Sequence, residues 1–349
     1  MRQLCMGFIF AVIAAIAVSA QQVASGGNPA PDILYARPGQ LVDAGGFRLN
    51  IYCMGSGSPT VVFDSGFEDW APAWSTVQPQ IAKWTRACSY DRAGAGFSEP
   101  GPLPRTSMRI AEELHTALHH AGITGPYILA GHAFGSDNVR TFAVLYMDEV
   151  AGMVMVDGDF TDLEPNEMQE ADREGRDEFA SQLRNCGKAI AERKPLPPLG
   201  SSPSDRGKTC AQQFFRGLPE KEWSSELNAK LLEIAQTKLA LYGAYASEME
   251  HMTEDEIYLQ QHRPSYGSRP IRVLTSGNHG VGHLAEKPAD TPKHVKYEKE
   301  MTAAQARFLT QSSNSKQIFA QHSSEYIQFD EPDTVISAIR EVYDQTKRP

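Results

Sequence analysis

The feature that most constrains this chain is a set of short runs in which nearly every residue is apolar, separated by segments of helical period. Thr60-Val-Val-Phe-Asp64, Ala87 to Tyr90, Tyr127 to Ala130, Gly152 to Val156 and Ile271 to Thr275 are too short for stable helices and lack the alternation of a strand with one wet face. Continuous apolarity is what a strand needs when both faces of its sheet are covered, the usual condition of a parallel sheet. Between the runs, Ser107 to Ala121 repeats apolar residues at Ile110, Leu114 and Leu118, and a further helix is expected from about Gly135 to Met147. Gln317 to Ala320 adds a last strand and Asp333 to Tyr343 a C-terminal helix. Strands alternating with helices predict a doubly wound, mostly parallel sheet. Leu41 to Asp43 and Phe47 to Cys53, joined by Gly45-Gly46, predict an antiparallel hairpin ahead of it.

The rhythm breaks once. Between Asp159 and Ser268 there is no strand pattern, only helical stretches such as Glu226 to Tyr245 and a Pro-rich turn at Pro195 to Pro203. Residues 159–268 therefore predict a helical lid inserted between two parts of one core, 38–158 and 269–349. The acidic start of the lid, including Asp159 and Asp162, reads as a solvated face. Residues 1–20 have the form of a signal peptide: Arg2, an apolar run from Met6 to Val18, and Val18-Ser19-Ala20 as a cleavage site. That run is shorter than the roughly 20 residues a membrane span requires, so no stable span is expected. Residues 21–37 read as a flexible leader, and the mature protein is expected to be secreted or periplasmic. Four cysteines then remain, Cys53, Cys88, Cys186 and Cys210, an even count that suggests two disulfides in one of three connectivities. With a net charge of −10 and no basic stripe, nucleic acid is excluded as a partner.

Chemistry concentrates at Gly131-His132-Ala133-Phe134-Gly135, between the run Tyr127 to Ala130 and the following helix. A Gly-x-x-x-Gly spacing at a strand-to-helix joint is that of a nucleophile elbow, in which the central side chain stands clear of the sheet. The helix start beside it offers backbone N–H groups to developing negative charge. His322, between the last strand and the C-terminal helix, is the candidate general base. His115, His119 and His120 on a helix, His132 in the elbow, and His279 and His283 in a loop are weaker candidates. The acid that would orient His322 is assigned to Asp157, at the end of Gly152 to Val156, with Asp159 and Glu286 as alternatives.

Together with Cys53-Met-Gly-Ser-Gly-Ser-Pro-Thr60 and Cys88-Ser-Tyr-Asp-Arg-Ala-Gly-Ala-Gly-Phe-Ser98, the elbow and the His322 segment resemble the secreted, lidded serine-hydrolase branch of the α/β-hydrolase superfamily. The resemblance covers nearly everything from Pro38 to Val342 except the lid. It implies an eight-stranded sheet, an oxyanion hole from the backbone N–H groups of Phe67 and Phe134, and a small-molecule ester as substrate, with no cofactor or metal. It also implies Cys53 joined to Cys88 across neighbouring strands, leaving Cys186 with Cys210 inside the lid. Trp70 and Trp74 would line the substrate pocket. The departure is Ala133, where such enzymes have serine: a methyl group has neither a lone pair nor an acidic proton. The expectation is a carboxylic-ester hydrolase disabled at its nucleophile by a Ser→Ala change. The alternatives are a natural non-catalytic protein that binds a small ligand, or an aminopeptidase of the proline-releasing type.

Overall fold

The computed structural model describes residues 31–163, 166–199, 208–213, 223–279 and 291–347. Eight strands form one sheet: β1 (Gln40–Asp43), β2 (Arg48–Met54), β3 (Thr60–Asp64), β4 (Ala87–Asp91), β5 (Tyr127–His132), β6 (Val150–Val156), β7 (Ile271–Asn278) and β8 (Ser315–Ser324). Their order is β1-β2-β4-β3-β5-β6-β7-β8. The β1–β2 and β2–β4 pairs are antiparallel, and every pair from β4 to β8 is parallel. The helices are α1 (Gln78–Ile81), α2 (Ser107–His120), α3 (Phe134–Leu145), α4 (Asn166–Ala191), α5 (Cys210–Gln213), α6 (Ser225–Thr237), α7 (Leu239–Gln261), α8 (Pro292–Phe308), α9 (Ile327–Asp330) and α10 (Pro332–Thr346).

The apolar runs are buried because the sheet is covered on both faces. Val62, Leu129, Met153 and Met155 pack with Leu114 of α2, Phe142 of α3 and Phe308 of α8. Their sequence neighbours Val61, Phe63, Ile128, Ala130 and Val154 pack with Ile81 of α1 and Ile339 of α10 on the other face. Adjacent residues of one strand thus feed two cores, which is the two-residue period of a strand spent on burial alone. Strand order reverses at β3, which lies between β4 and β5. A crevice opens at such a point beyond the carboxyl ends of the strands. The loops after β3 and β5 both emerge there.

Among the described residues between Asp159 and Ser268, the segment expected as the lid, there are helices and no strand. The expected helix Glu226 to Tyr245 is broken at Lys238, whose backbone leaves the helical region (φ −90°, ψ 93°). Its ammonium donates to the carbonyls of Ala95, Gly96 and Ser98, at 3.1 and 2.7 Å for the first two. Burial lowers this lysine's pKa to about 8. Two disulfides join Cys53 to Cys88 and Cys186 to Cys210. The first links directly opposed residues of β2 and β4. The second ties α4 to α5, restricting the unfolded lid and contributing about 2–4 kcal/mol.

Two expectations need correction. The segment expected as a flexible leader is fastened at its end: Pro31–Ala36 forms a 3-10 turn. There Tyr35 is buried and donates to Gln78 at 2.7 Å, and Asp32 accepts the N–H of Ser224 at 2.6 Å. The aromatic ring is what holds it, since burying one contributes more than a polar leader can offset by staying hydrated. Asp162 does not lie on a solvated face. It is buried and receives both terminal nitrogens of Arg140 at 2.8 and 2.9 Å, so that the lid entrance is tied to α3. The expected signal peptide, 1–20, lies outside the described residues. Among those described, no helix is long and apolar enough to cross a membrane.

Candidate active site

Ala133 is the N-cap of α3, with φ 45° and ψ −121°. Side-chain-bearing residues avoid this region, and it persists only where neighbours enforce it. The enforcement is close packing. A Cβ on Gly131 would lie 2.5 Å from the Gly135 carbonyl oxygen, and one on Gly135 would lie 2.4 Å from that of Asp64. The Ala133 N–H donates to Val156 at 3.2 Å, and its carbonyl accepts from Ser136 at 2.8 Å. Ser136 cannot substitute for a hydroxyl at 133. It is fully buried and donates to the Gly131 carbonyl at 3.1 Å, beneath the turn.

Asp157, directly after β6, also takes a positive φ of 43°. Its carboxylate accepts from the Ser276 N–H at 3.0 Å, the Ser276 hydroxyl at 2.8 Å and Gln305 Nε2 at 3.2 Å. The decisive partner is His279, whose Nδ1 lies 2.8 Å from Oδ1. Burial opposes ionisation of Asp157, but His279 and the Ser276 hydrogen bonds outweigh it and hold the pKa below the usual range. Burial likewise opposes a charged His279, and Asp157 outweighs it, with Glu298 adding, so its pKa is raised. The two form a buried ion pair. Its other ring nitrogen, Nε2, lies 3.9 Å from Glu298.

His132 is driven down to about 4 by burial and is neutral. Its Nε2 lies 3.0 Å from the Glu325 carbonyl, which can only accept, so Nε2 carries the proton and Nδ1 faces Asp69 at 3.7 Å with its lone pair. Glu325 is half-buried beside this ring. Burial, and then the charges of Asp157, Asp69 and Asp159, push its carboxyl up to about 8. Burial raises Asp69 to about 7.

These shifts set a pH dependence. Glu325 and Asp69 hold protons longer when folded, so their contribution is complete below about pH 4 and lost as pH rises toward 8. His279 has the same sign, and its contribution is lost above about pH 6.5. Asp157 has the opposite sign and fails only as pH falls below about 4. Stability is therefore expected to be highest near pH 5 and to decline toward pH 8. Glu325→Gln should raise Tm by several degrees at pH 8 and by little at pH 5 in thermal melts followed by circular dichroism. Equal shifts at both values would remove Glu325 from this linkage.

Phe67 lies in the loop after β3, and its ring meets Phe179 at 6.2 Å and Tyr245 at 5.5 Å on the lid. Arg92 pins this loop from behind, donating to the carbonyls of Ser65 at 2.6 Å and Gly66 at 2.8 Å. The same guanidinium meets Asp64 at 3.1 Å and Glu248 of the lid at 3.0 Å, all three groups being buried. Phe134 opens α3, so its N–H has no partner within the helix.

Residues 59–192 match the family model described as "alpha/beta hydrolase fold". A thermophilic esterase from Thermogutta terrifontis superposes with a TM-score of 0.59 at 21% identity, covering 89% of this chain and 99% of that one. The chain has the α/β-hydrolase fold. It is also 24% identical to YqjL of Bacillus subtilis, over 83% of this chain and 85% of that one. A 2-hydroxy-6-oxo-2,4-heptadienoate hydrolase of Pseudomonas putida is 30% identical over 35% of this chain and 45% of its own length.

The α/β-hydrolase fold brings Ala133, Phe67, Phe134 and Asp157 to the carboxyl end of the sheet, and it does not bring His322 there. That residue lies inside β8, is exposed, and its N–H donates to the Glu331 carboxylate at 3.1 Å. The residue that follows β8 and adjoins the elbow is Glu325. Trp74 is not beside the elbow either: it is fully buried in the core, 4.7 Å from Phe63. Pro72 is the second residue of the 3-10 turn Ala71–Trp74, all four residues of which are buried. Trp70 is buried between body and lid. Asp159 is half-buried next to Asp157, and Glu286 lies outside the described residues. Sequence reasoning set His279 aside as a loop residue and missed Gln305 and Glu325. A signal was available for Glu325 alone, as a carboxylate directly preceding an aromatic residue at a strand end.

Proposed function

We propose that this protein is an exported ester-hydrolase relative that binds small carboxylic esters at the elbow and does not turn them over through an acyl-enzyme. The observation that carries this reading is that Ala133 centres the tight turn after β5 and that Glu325, the first residue after β8, meets the same turn through its carbonyl at His132. We read these as the positions from which elbow chemistry draws its nucleophile and its base. An ester carbonyl would meet the N–H groups of Phe67 and Phe134. Glu325, with a pKa of about 8, holds its proton at neutral pH and would donate a hydrogen bond to a second ligand oxygen. On this reading two reacting groups are missing, at 133 and at 325, which favours a natural loss of catalysis over a single inactivating change. The two disulfides support an oxidising compartment, secreted or periplasmic.

A second reading has one observation in its favour. His279, oriented by Asp157 at 2.8 Å, could act as a general base and activate water directly once pH exceeds its raised pKa and its proton is lost. Ligand-observed NMR with p-nitrophenyl acetate and p-nitrophenyl butyrate separates the two. Binding without release of p-nitrophenolate beyond the buffer rate is expected, with no acyl or organophosphate adduct in the intact mass. Steady hydrolysis abolished by His279→Ala would instead establish the second reading, and a stoichiometric acyl adduct would overturn both.

A further inference from the structure

We propose that His115, His119 and Glu149 form a surface site for a first-row divalent transition-metal ion of the zinc class. The two histidines are four residues apart on α2, so their rings project from the same face, one turn apart. Glu149, in the 3-10 turn just before β6, reaches both: Nε2 of His115 lies 2.9 Å from Oε1, and Nε2 of His119 lies 3.0 Å from Oε2. All three donor atoms lie within 4.8 Å of one another. Donors held tetrahedrally at about 2.0–2.1 Å from a zinc ion stand about 3.3 Å apart, so an ion entering in place of the two hydrogen bonds requires only small side-chain movement.

The site is preorganised on one side and open on the other. The His115 ring stacks on Tyr146, centroids 3.7 Å apart and 4° from parallel, and lies 4.2 Å from the His119 ring. Side-chain exposures of 21%, 39% and 29% for His115, His119 and Glu149 leave the remaining coordination positions to water. Two imidazoles and one carboxylate select zinc, copper, nickel or cobalt over magnesium or calcium, which demand oxygen. The site is remote from the elbow: Glu149 precedes the first residue of β6 and Asp157 follows its last, a strand of about 20 Å. A bound ion would clamp α2 to the turn that feeds that strand.

The test is isothermal titration of the full chain, stripped with a chelator, using zinc chloride and then magnesium chloride. One zinc per chain, no magnesium binding and a rise in Tm of a few degrees at saturating zinc are expected. His119→Gln keeps a donor for Glu149 but removes the imidazole, and Glu149→Gln removes the charge. Each should weaken zinc binding about tenfold or more with an unchanged far-UV spectrum, whereas His322→Ala should leave it unaltered. No zinc binding would overturn the proposal, and so would binding that both variants leave intact.

Discussion

Ala133→Ser alone is expected to leave ester hydrolysis near background, and Ala133→Ser combined with Glu325→His to raise it by on the order of 10³-fold or more. The elbow already holds residue 133 at φ 45°, so a serine would fold there with its hydroxyl clear of the sheet. A hydroxyl is inert without a base, however. His322 is exposed within β8, and Glu325 keeps its proton near neutral pH. An imidazole at 325 would stand at the end of β8 with the charge of Asp157 nearby, since that charge already acts on the Glu325 carboxyl. Initial rates with p-nitrophenyl butyrate and stoichiometric labelling by an organophosphate read the result. Activity recovered by Ala133→Ser alone and lost on adding His279→Ala would identify His279 as the base and refute the role given to position 325.

Arg92→Met is expected to be the most damaging single change outside the elbow, costing about 3–5 kcal/mol. The guanidinium is buried and is the partner of both Asp64 and Glu248, and it holds the Ser65 and Gly66 carbonyls of the loop that carries Phe67. Methionine fills much of the volume but removes the charge partner of both carboxylates and a donor to both carbonyls, while Asp64 keeps only the neutral donors Tyr90 and Asn138. Burial already raises Asp64 to about 6 despite Arg92, so protonation offers partial relief. The loss should therefore be smaller at pH 5 than at pH 8, as read from urea midpoints at constant slope. A midpoint within error of the parent at pH 8 would show that the ion pairs hold neither loop nor lid.

Much of the architecture was legible because it rests on local apolarity. Thr60–Asp64 and Val150–Val156 announce buried parallel strands by their composition, and the glycines at 131 and 135 announce a turn too tight for any side chain. The break at Lys238 was not legible. Helix period continues through it, and the force that bends the chain comes from carbonyls of residues 95, 96 and 98, far away in sequence. Asp162 misled for the same reason, since an acidic stretch looks solvated until a distant arginine is brought against it.

The sequence by itself determined the order of the buried strands along the chain, the strand-free segment 159–268 between two of them, and an alanine at the centre of a tight strand-to-helix turn, because each depends on residues adjacent in the chain. Only the tertiary structure decided what faces that elbow. His322 and Glu325 are three residues apart, and which of them leaves the sheet depends on where the pairing of β7 with β8 ends, at Asn278 opposite Ser324. Asp157 meets His279 because β6 lies beside β7, with the Asp157 N–H on the Leu274 carbonyl. An ion pair formed across strands has no trace in local composition. The identity of the groups around Ala133 is therefore a property of strand register, which side-chain burial across the whole sheet selects.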